Sequence, residues 1–188
     1  MDLIRRGQAD DEEAFEALFH KYKNLVYKTA YLMLDSTDEA EDALQDVFLQ
    51  VHKSLSTFQP SKGAFTTWLH RITVNHCLSR RRKHHLSTIS LDRAFPASLI
   101  GHLSLSQNRL EDEEAVQQAL SRLSEKMRTV VILRYYLELS YAEIAQILDI
   151  PLGTVKSRLN LALKTLREEL VTEDVPVPVA LSQREVAK

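Results

Sequence analysis

Glycine and proline are scarce in this chain of 188 residues, at four and five. That scarcity argues against sandwiches and barrels, whose many tight turns need both. With one cysteine, Cys77, no internal disulfide can form and a cysteine-based structural zinc site has too few ligands. No stretch approaches the ~18 consecutive apolar residues of a membrane span. The opening Met1-Asp2-Leu3-Ile4-Arg5-Arg6 leads into acids, not into the apolar run of a signal peptide. A dominant charge sign is also lacking: 24 Lys and Arg oppose 26 Asp and Glu, for a net −2. Net charge therefore points to no polyanion; only its distribution along the chain can. The Gly-x-x-x-x-Gly-Lys-Ser/Thr loop, the Gly-x-Gly-x-x-Gly turn and the His-Glu-x-x-His helix are all missing. The composition, 44% hydrophobic and 27% charged, is that of a soluble globular protein. The expectation is a cytosolic, helical, non-enzymatic chain without a cofactor.

What is present is helical periodicity almost throughout. Ala14, Leu18, Tyr22 and Leu25, then Thr29, Leu32 and Met33, recur at helical spacing. Ser36-Thr37-Asp38-Glu39 fits a capping box and opens a second helix reaching about Leu55. Gln59-Pro60-Ser61-Lys62-Gly63 reads as a loop, and a third helix should run from Ala64 to Lys83. The stretch Leu86 to Asn108 is rich in serine and poor in charge, and reads as a linker. Further helices are expected at roughly 112–121, 125–138, 141–148 and 154–169, with a second capping box at Ser140-Tyr141-Ala142-Glu143. The tail from Val171, with Val-Pro-Val-Pro-Val, is expected to be disordered. The fold expected is all-α: two small helical domains, residues 1–85 and 112–170, joined by a flexible linker at 86–111 and followed by a tail at 171–188.

Charge is strongly segregated. Asp38, Glu39, Glu41, Asp42 and Asp46 form an acidic stretch without a Lys or Arg among them. From Val47 to Leu91 there is no acid, while Lys53, Lys62, Arg71, Arg80, Arg81, Arg82 and Lys83 all fall there. The basic segment is an electrostatic footprint for a polyanion, or a solvated helix end complementing the helix dipole. In the helix from Phe65, one face holds Phe65, Leu69 and Ile72, and another holds Arg71, Asn75, Leu78 and Arg82. Arg and Asn at one-turn spacing suit phosphate and base-edge contacts. Phe65 and Trp68 stand at the helix start, placed either to stack on an unpaired base or to fill the core. His70, His76 and Cys77 are poorly arranged for a metal, since His76 lies about 100° from Cys77 around the helix and a fourth ligand is missing.

A second signal lies near the C-terminus. Tyr141, Ile144, Ala145 and Leu148 mark a short amphipathic helix, and Asp149-Ile150-Pro151-Leu152-Gly153 breaks it. Val155, Leu159, Ala162 and Leu166 mark the inner face of the next helix, whose outer face carries Lys156, Ser157, Asn160, Leu161 and Lys164. This is the helix-turn-helix pattern, whose second helix reads the major groove.

The strings Asp38-Glu39-Ala40-Glu41-Asp42-Ala43-Leu44-Gln45-Asp46-Val47-Phe48, Thr67-Trp68-Leu69-His70-Arg71-Ile72-Thr73-Val74-Asn75, and Pro151-Leu152-Gly153-Thr154-Val155-Lys156-Ser157-Arg158 together carry a resemblance. The chain resembles the extracytoplasmic-function (ECF) sigma factors of the bacterial sigma-70 family over roughly residues 10–85 and 110–170. The resemblance implies that Asp38, Glu41, Asp42, Gln45 and Asp46 dock on the clamp helices of the largest subunit of core RNA polymerase. It implies that Lys62, Phe65, Trp68, Arg71, Asn75, Arg80, Arg81, Arg82 and Lys83 recognise and melt the minus-ten promoter DNA, with a flipped base pocketed by the loop from Gln59 to Phe65. It assigns the minus-thirty-five element to Thr154, Lys156, Ser157, Arg158, Asn160, Leu161 and Lys164, and the polymerase flap to the helices before the helix-turn-helix. Leu161 stands where the family commonly has Arg, which leaves either weaker upstream binding or an apolar contact such as to a thymine methyl. An anti-sigma factor is implied as a partner, and a bacterial cytoplasmic location in which that factor holds the chain at the membrane. The rival reading is a stand-alone helix-turn-helix regulator. Its first half should be a ligand-binding or receiver domain with strands and Gly-rich loops, of which residues 1–85 show neither.

Overall fold

The computed structural model describes the backbone of residues 2–87 and 122–172, and the side chains of residues 2–83 and 122–169. Every regular element among them is helical, and they fall into two units. Most of the expected linker, the expected helix at 112–121 and most of the tail lie outside the described residues.

The first unit holds α1 (Asp2–Gln8), α2 (Glu12–Leu34), α3 (Thr37–Ser54) and α4 (Phe65–Ser87). The caps explain where the helices begin. Asp11 accepts a bond from the Ala14 amide at 3.0 Å and opens α2 with Glu12 and Glu13 in its first turn, next to the positive end of the helix dipole. Ser36 does the same for Glu39 at the start of α3. Between them Asp35 takes a left-handed conformation (φ 58°), which an aspartate tolerates, and lets α2 and α3 fold back as a hairpin. Leu18, Val26, Val47, Val51, Leu55, Phe58, Phe65, Leu69 and Ile72 form the core. Burying each large apolar side chain of this kind contributes about 1.5–3 kcal/mol.

Helix α1 has no counterpart in the sequence reading. It is one apolar stripe too short to show a period, but it is anchored in three ways. Ile4 is buried. Gly7 lets the backbone approach so closely that a Cβ there would meet Leu55 at 2.9 Å. Gln8 Nε2 donates to the carbonyls of Leu55 and Phe58 at 3.0 and 2.9 Å, satisfying the end of the 3₁₀ turn Leu55–Thr57. Helix α4 also continues to Ser87, past the expected domain limit at residue 85.

The second unit holds α5 (Glu125–Val131), α6 (Tyr141–Leu148) and α7 (Leu152–Thr172). The expected single helix over 125–138 instead widens after Val131 into a π turn, Ile132–Tyr136. The Leu137 and Leu139 amides then bond the Ile132 and Leu133 carbonyls, while Arg134 bonds the Leu139 carbonyl and lies 5.0 Å from the Tyr141 ring centre. The capping box at Ser140 and Glu143 is complete, with reciprocal bonds of 2.8 and 3.2 Å. The break after α6 is three residues, not five. Asp149 closes α6 in a left-handed conformation (φ 54°), and α7 starts at Leu152 because the Pro151 carbonyl already accepts from the Thr154 and Val155 amides. A proline there gives up no needed donor. Buried Val155, Leu159, Ala162, Leu163 and Leu166 line one side of α7, as its periodicity requires.

Candidate nucleic-acid interface

Helix α3 presents a charged ridge. Asp38, Glu41, Asp42, Gln45 and Asp46 are all exposed, opposite buried Ala40, Ala43, Val47 and Val51. At 100° per residue, Asp38, Glu41, Asp42, Gln45 and Leu49 share an arc of about 100°. Leu49, 60% exposed, was not singled out from the sequence. It breaks the apolar period of its own helix, which is the signal that would have marked it. A groove of about 410 Å³ runs along the ridge, lined by Phe19, Tyr27, Leu44, Lys23, Glu41 and Gln45 among others. The ridge is thus an acidic surface with apolar ground beside it.

Helix α4 divides the basic run by helical phase. Arg71, Asn75, Arg82 and Lys83 are exposed, as is Lys62 in the 3₁₀ turn Pro60–Lys62. Arg80 instead turns back toward α3, with Nη2 2.8 Å from Asp42 Oδ2 and Nη1 4.0 Å from Asp46. Arg81 Nη1 donates to the Met33 carbonyl at 3.1 Å, placing a cation at the negative end of α2. Two of the four basic residues, Arg80 and Arg81, thus brace the bundle, while Arg82 and Lys83 are exposed. The side chains of His84 and His85 lie outside the described residues.

The aromatic pair also separates. Phe65 is 7% exposed, packed against Tyr22, Phe58 and Trp68 with ring centres 5.1 to 5.5 Å apart. Of the two placements the sequence leaves open for it, the structure has the core one. Its position at the helix start, behind Gly63 (φ 152°), directs it inward onto α2. Trp68 is half-buried and leaves part of its ring at the surface. Two side chains raised as metal ligands are packed inside. His70 Nδ1 lies 3.3 Å from Thr29 Oγ1, whose own proton goes to the Leu25 carbonyl, so the ring nitrogen is the donor. Burial pushes the Cys77 thiol up to about 12. His76 faces Asp46 at 3.7 Å, yet burial holds its pKa below the usual histidine value, with Arg80 and Lys83 adding repulsion against the pull of Asp46. Among the described residues no cluster of three or more ligating side chains is formed, and no helix is long and apolar enough to cross a membrane.

In the second unit the outer face of α7 carries Lys156, Ser157, Asn160, Leu161 and Lys164, all exposed, with Thr154 and Arg158 half-buried at its margin. Ser157 Oγ donates back to the Thr154 carbonyl, and Lys164 lies 3.6 Å from Glu168. The structure thus assembles a polar, cation-bearing helix face behind a tight turn, a shape that fits a major groove.

Comparisons with known proteins agree with this arrangement. The family model for sigma-70 region 2 matches residues 18–86, and that for sigma-70 region 4 matches residues 113–166. The chain is 33% identical over 184 residues to the ECF RNA polymerase sigma factor SigW of Bacillus subtilis, covering 89% of this chain and 94% of that one. It is 30% identical over 178 residues to the RNA polymerase sigma-H factor of Pseudomonas aeruginosa, covering 89% and 92%. Two solved structures share the fold. One is CnrH in complex with the cytosolic domain of CnrY, at TM-score 0.65 and 22% identity, covering 91% of this chain and 96% of that one. The other is the sigma factor RpoE in complex with the anti-sigma factor NepR from Bartonella quintana, at TM-score 0.63 and 23% identity, covering 85% and 98%.

Proposed function

This chain belongs to the extracytoplasmic-function sigma factors of the sigma-70 family, and we propose how its residues divide the work of directing RNA polymerase to promoters and starting transcription there. The α3 ridge, Asp38, Glu41, Asp42, Gln45 and Asp46, docks on the basic clamp helices of the largest polymerase subunit. Complementary charge steers the encounter, and Leu49 with the neighbouring groove supplies apolar area. The opposite chemistry lies on α4. Arg71, Asn75, Arg82, Lys83 and Lys62 meet the minus-ten strand: the cations on phosphates, Asn75 on a base edge, and the outer part of Trp68 against an unpaired base. Arg80 and Arg81 act by holding α4 in place.

The outer face of α7 enters the major groove at the minus-thirty-five element, with Ser157, Asn160 and Leu161 toward the bases and Lys156, Lys164, Thr154 and Arg158 toward the backbone. The flap of the polymerase takes the helices before the turn. Each unit is small, so tight promoter binding needs the polymerase to fix the spacing of the two. An anti-sigma factor covers the docking ridge in the resting state; the fold-sharing structures of CnrH and RpoE, each solved with a partner, support that partner class. The chain works in the bacterial cytoplasm, where such a factor would tether it at the membrane.

The observation that carries this reading is the exposure of an acidic ridge on α3 and a cationic, Asn-bearing face on α4 within one four-helix unit. It is tested by transcription with core polymerase on a fragmented genomic template, with and without the protein. New discrete start sites sharing an upstream and a minus-ten motif are expected. Failure to bind core polymerase, with sequence-specific binding of free duplex, would overturn the reading in favour of a stand-alone regulator.

A further inference from the structure

We propose that Leu161 is a specificity residue: it reads the C5-methyl of a thymine in the upstream promoter element, so that one position of that element is fixed as T by an apolar contact. This rests on the reading of α7 as the helix that enters the major groove.

Single exposed leucines are common on protein surfaces and need no explanation. The surroundings of this one do. Leu161 is 54% exposed on the side of α7 opposite the buried Val155, Leu159, Ala162 and Leu166. Its i−4 and i+3 neighbours are Ser157 and Lys164, with Asn160 and Lys156 farther round the outer face, all exposed and all able to donate hydrogen bonds; Glu168, one turn beyond Lys164, is held by that lysine at 3.6 Å. Lys156 and Lys164 are about 12 Å apart along the axis at 1.5 Å per residue, close to the ~12 Å width of the major groove. Ser157, Asn160 and Leu161 lie between them along the axis, so the side chains placed to reach bases are flanked by cations placed to reach phosphates.

At that place the chemistry is selective. Guanine offers two acceptors, adenine an acceptor and a donor, cytosine a donor, and thymine an acceptor with a methyl group. A leucine can satisfy none of the polar groups. Facing guanine, cytosine or adenine it would strip water from a base edge without replacing the hydrogen bonds. Only the thymine methyl gives it apolar area to bury. Asn160, one residue earlier, has the amide that pairs with an adenine edge. The two side chains together favour an A·T-containing step, with the thymine set by Leu161.

The test uses holoenzyme assembled from the full chain and core polymerase, on a cognate promoter mapped by transcription. Each thymine of the upstream element is replaced in turn by uracil, which removes the methyl and keeps the base pair. One replacement should lower initiation about fourfold, the worth of one buried methyl group. 5-Methylcytosine should rescue part of the loss caused by cytosine at that position. Leu161→Ala should initiate at the lower level and no longer distinguish thymine from uracil there. If the element matters but no uracil replacement does, or if Leu161→Ala keeps the full uracil effect, the assignment to Leu161 is wrong while the DNA-facing role of α7 stands. If scrambling the whole element leaves initiation unchanged, α7 does not read it, and both readings fall together.

Discussion

Arg80 on α4 and Asp42 on α3 hold one another at 2.8 Å, so an ion pair ties the ridge proposed to dock on polymerase to the helix proposed to meet DNA. Asp46 lies 4.0 Å from the same guanidinium, and its Oδ2 is 3.7 Å from His76 Nε2. The pair is partly exposed, and pairs of this kind stabilise by about 0.2–1 kcal/mol. Its value lies in orientation: it fixes the phase of α4 against α3.

Reversing the ridge with Asp42→Arg and Asp46→Arg should lower affinity for core polymerase, read in a binding assay with purified core. Adding Arg80→Asp rebuilds opposite charges across α3 and α4. Melting temperature should then recover while polymerase affinity stays low. Recovery of affinity as well would place the defect in the helix contact and not in docking.

Asn75→Ala should weaken transcription from a cognate promoter and leave polymerase binding unchanged, because Asn75 is exposed and takes no part in the core. Equal loss of both would remove Asn75 from the DNA face.

Phe65→Ala should cost about 3–5 kcal/mol of stability, as for a large aromatic cut from a packed core, with polymerase and DNA binding lost in parallel as the fold is lost. A promoter defect at full melting temperature would give Phe65 the DNA-contacting role that the family resemblance implies.

Lowering pH through the histidine range should destabilise the first unit. His76 has a folded-state pKa below the ordinary 6.5, chiefly because it is buried. The folded state therefore binds its proton less readily than the unfolded chain, and the stability this gives is complete above pH 6.5 and lost as pH falls through the lowered value. Melting curves from pH 7.5 to 5 should show a steeper fall for the native chain than for His76→Gln. Identical slopes would show that the ring does not titrate in this window.

Ser140→Ala should lower the stability of the second unit by about 1 kcal/mol, since Ser140 and Glu143 satisfy each other's amides at the start of α6. An unchanged melting temperature would mean that water replaces the cap at no cost.

What was legible in the sequence was whatever depends on neighbours along one helix. The buried sides of α4 and α7, the outer face of α7 and the two serine caps all follow from spacing within a few residues. What was not legible depends on distant partners. The run Arg80-Arg81-Arg82-Lys83 reads as one basic patch until the fold brings Asp42 beside Arg80 and the Met33 carbonyl beside Arg81, 38 and 48 residues away. Helix α1 is too short for a period, and its place depends on Gly7 and Gln8 meeting the turn at Leu55. The π turn is invisible to hydrophobic patterning, because Ile132, Leu133 and Tyr136 are buried in it as an ordinary helix could bury them. The aromatic pair at the start of α4 fits a core or a stacking platform equally well; both rings pack on Phe58, and only the contact with Tyr22 and the deeper burial separate Phe65 from Trp68.

The buried Cys77 carries one more consequence. Thiol oxidation and alkylation proceed through the thiolate, and burial both pushes the Cys77 thiol up, away from that form at neutral pH, and shields it from solvent. With no second cysteine in the chain, its folded state offers oxidants and electrophiles no reactive sulfhydryl. Peroxide or disulfide stress can govern this protein through thiols only if another molecule does the sensing.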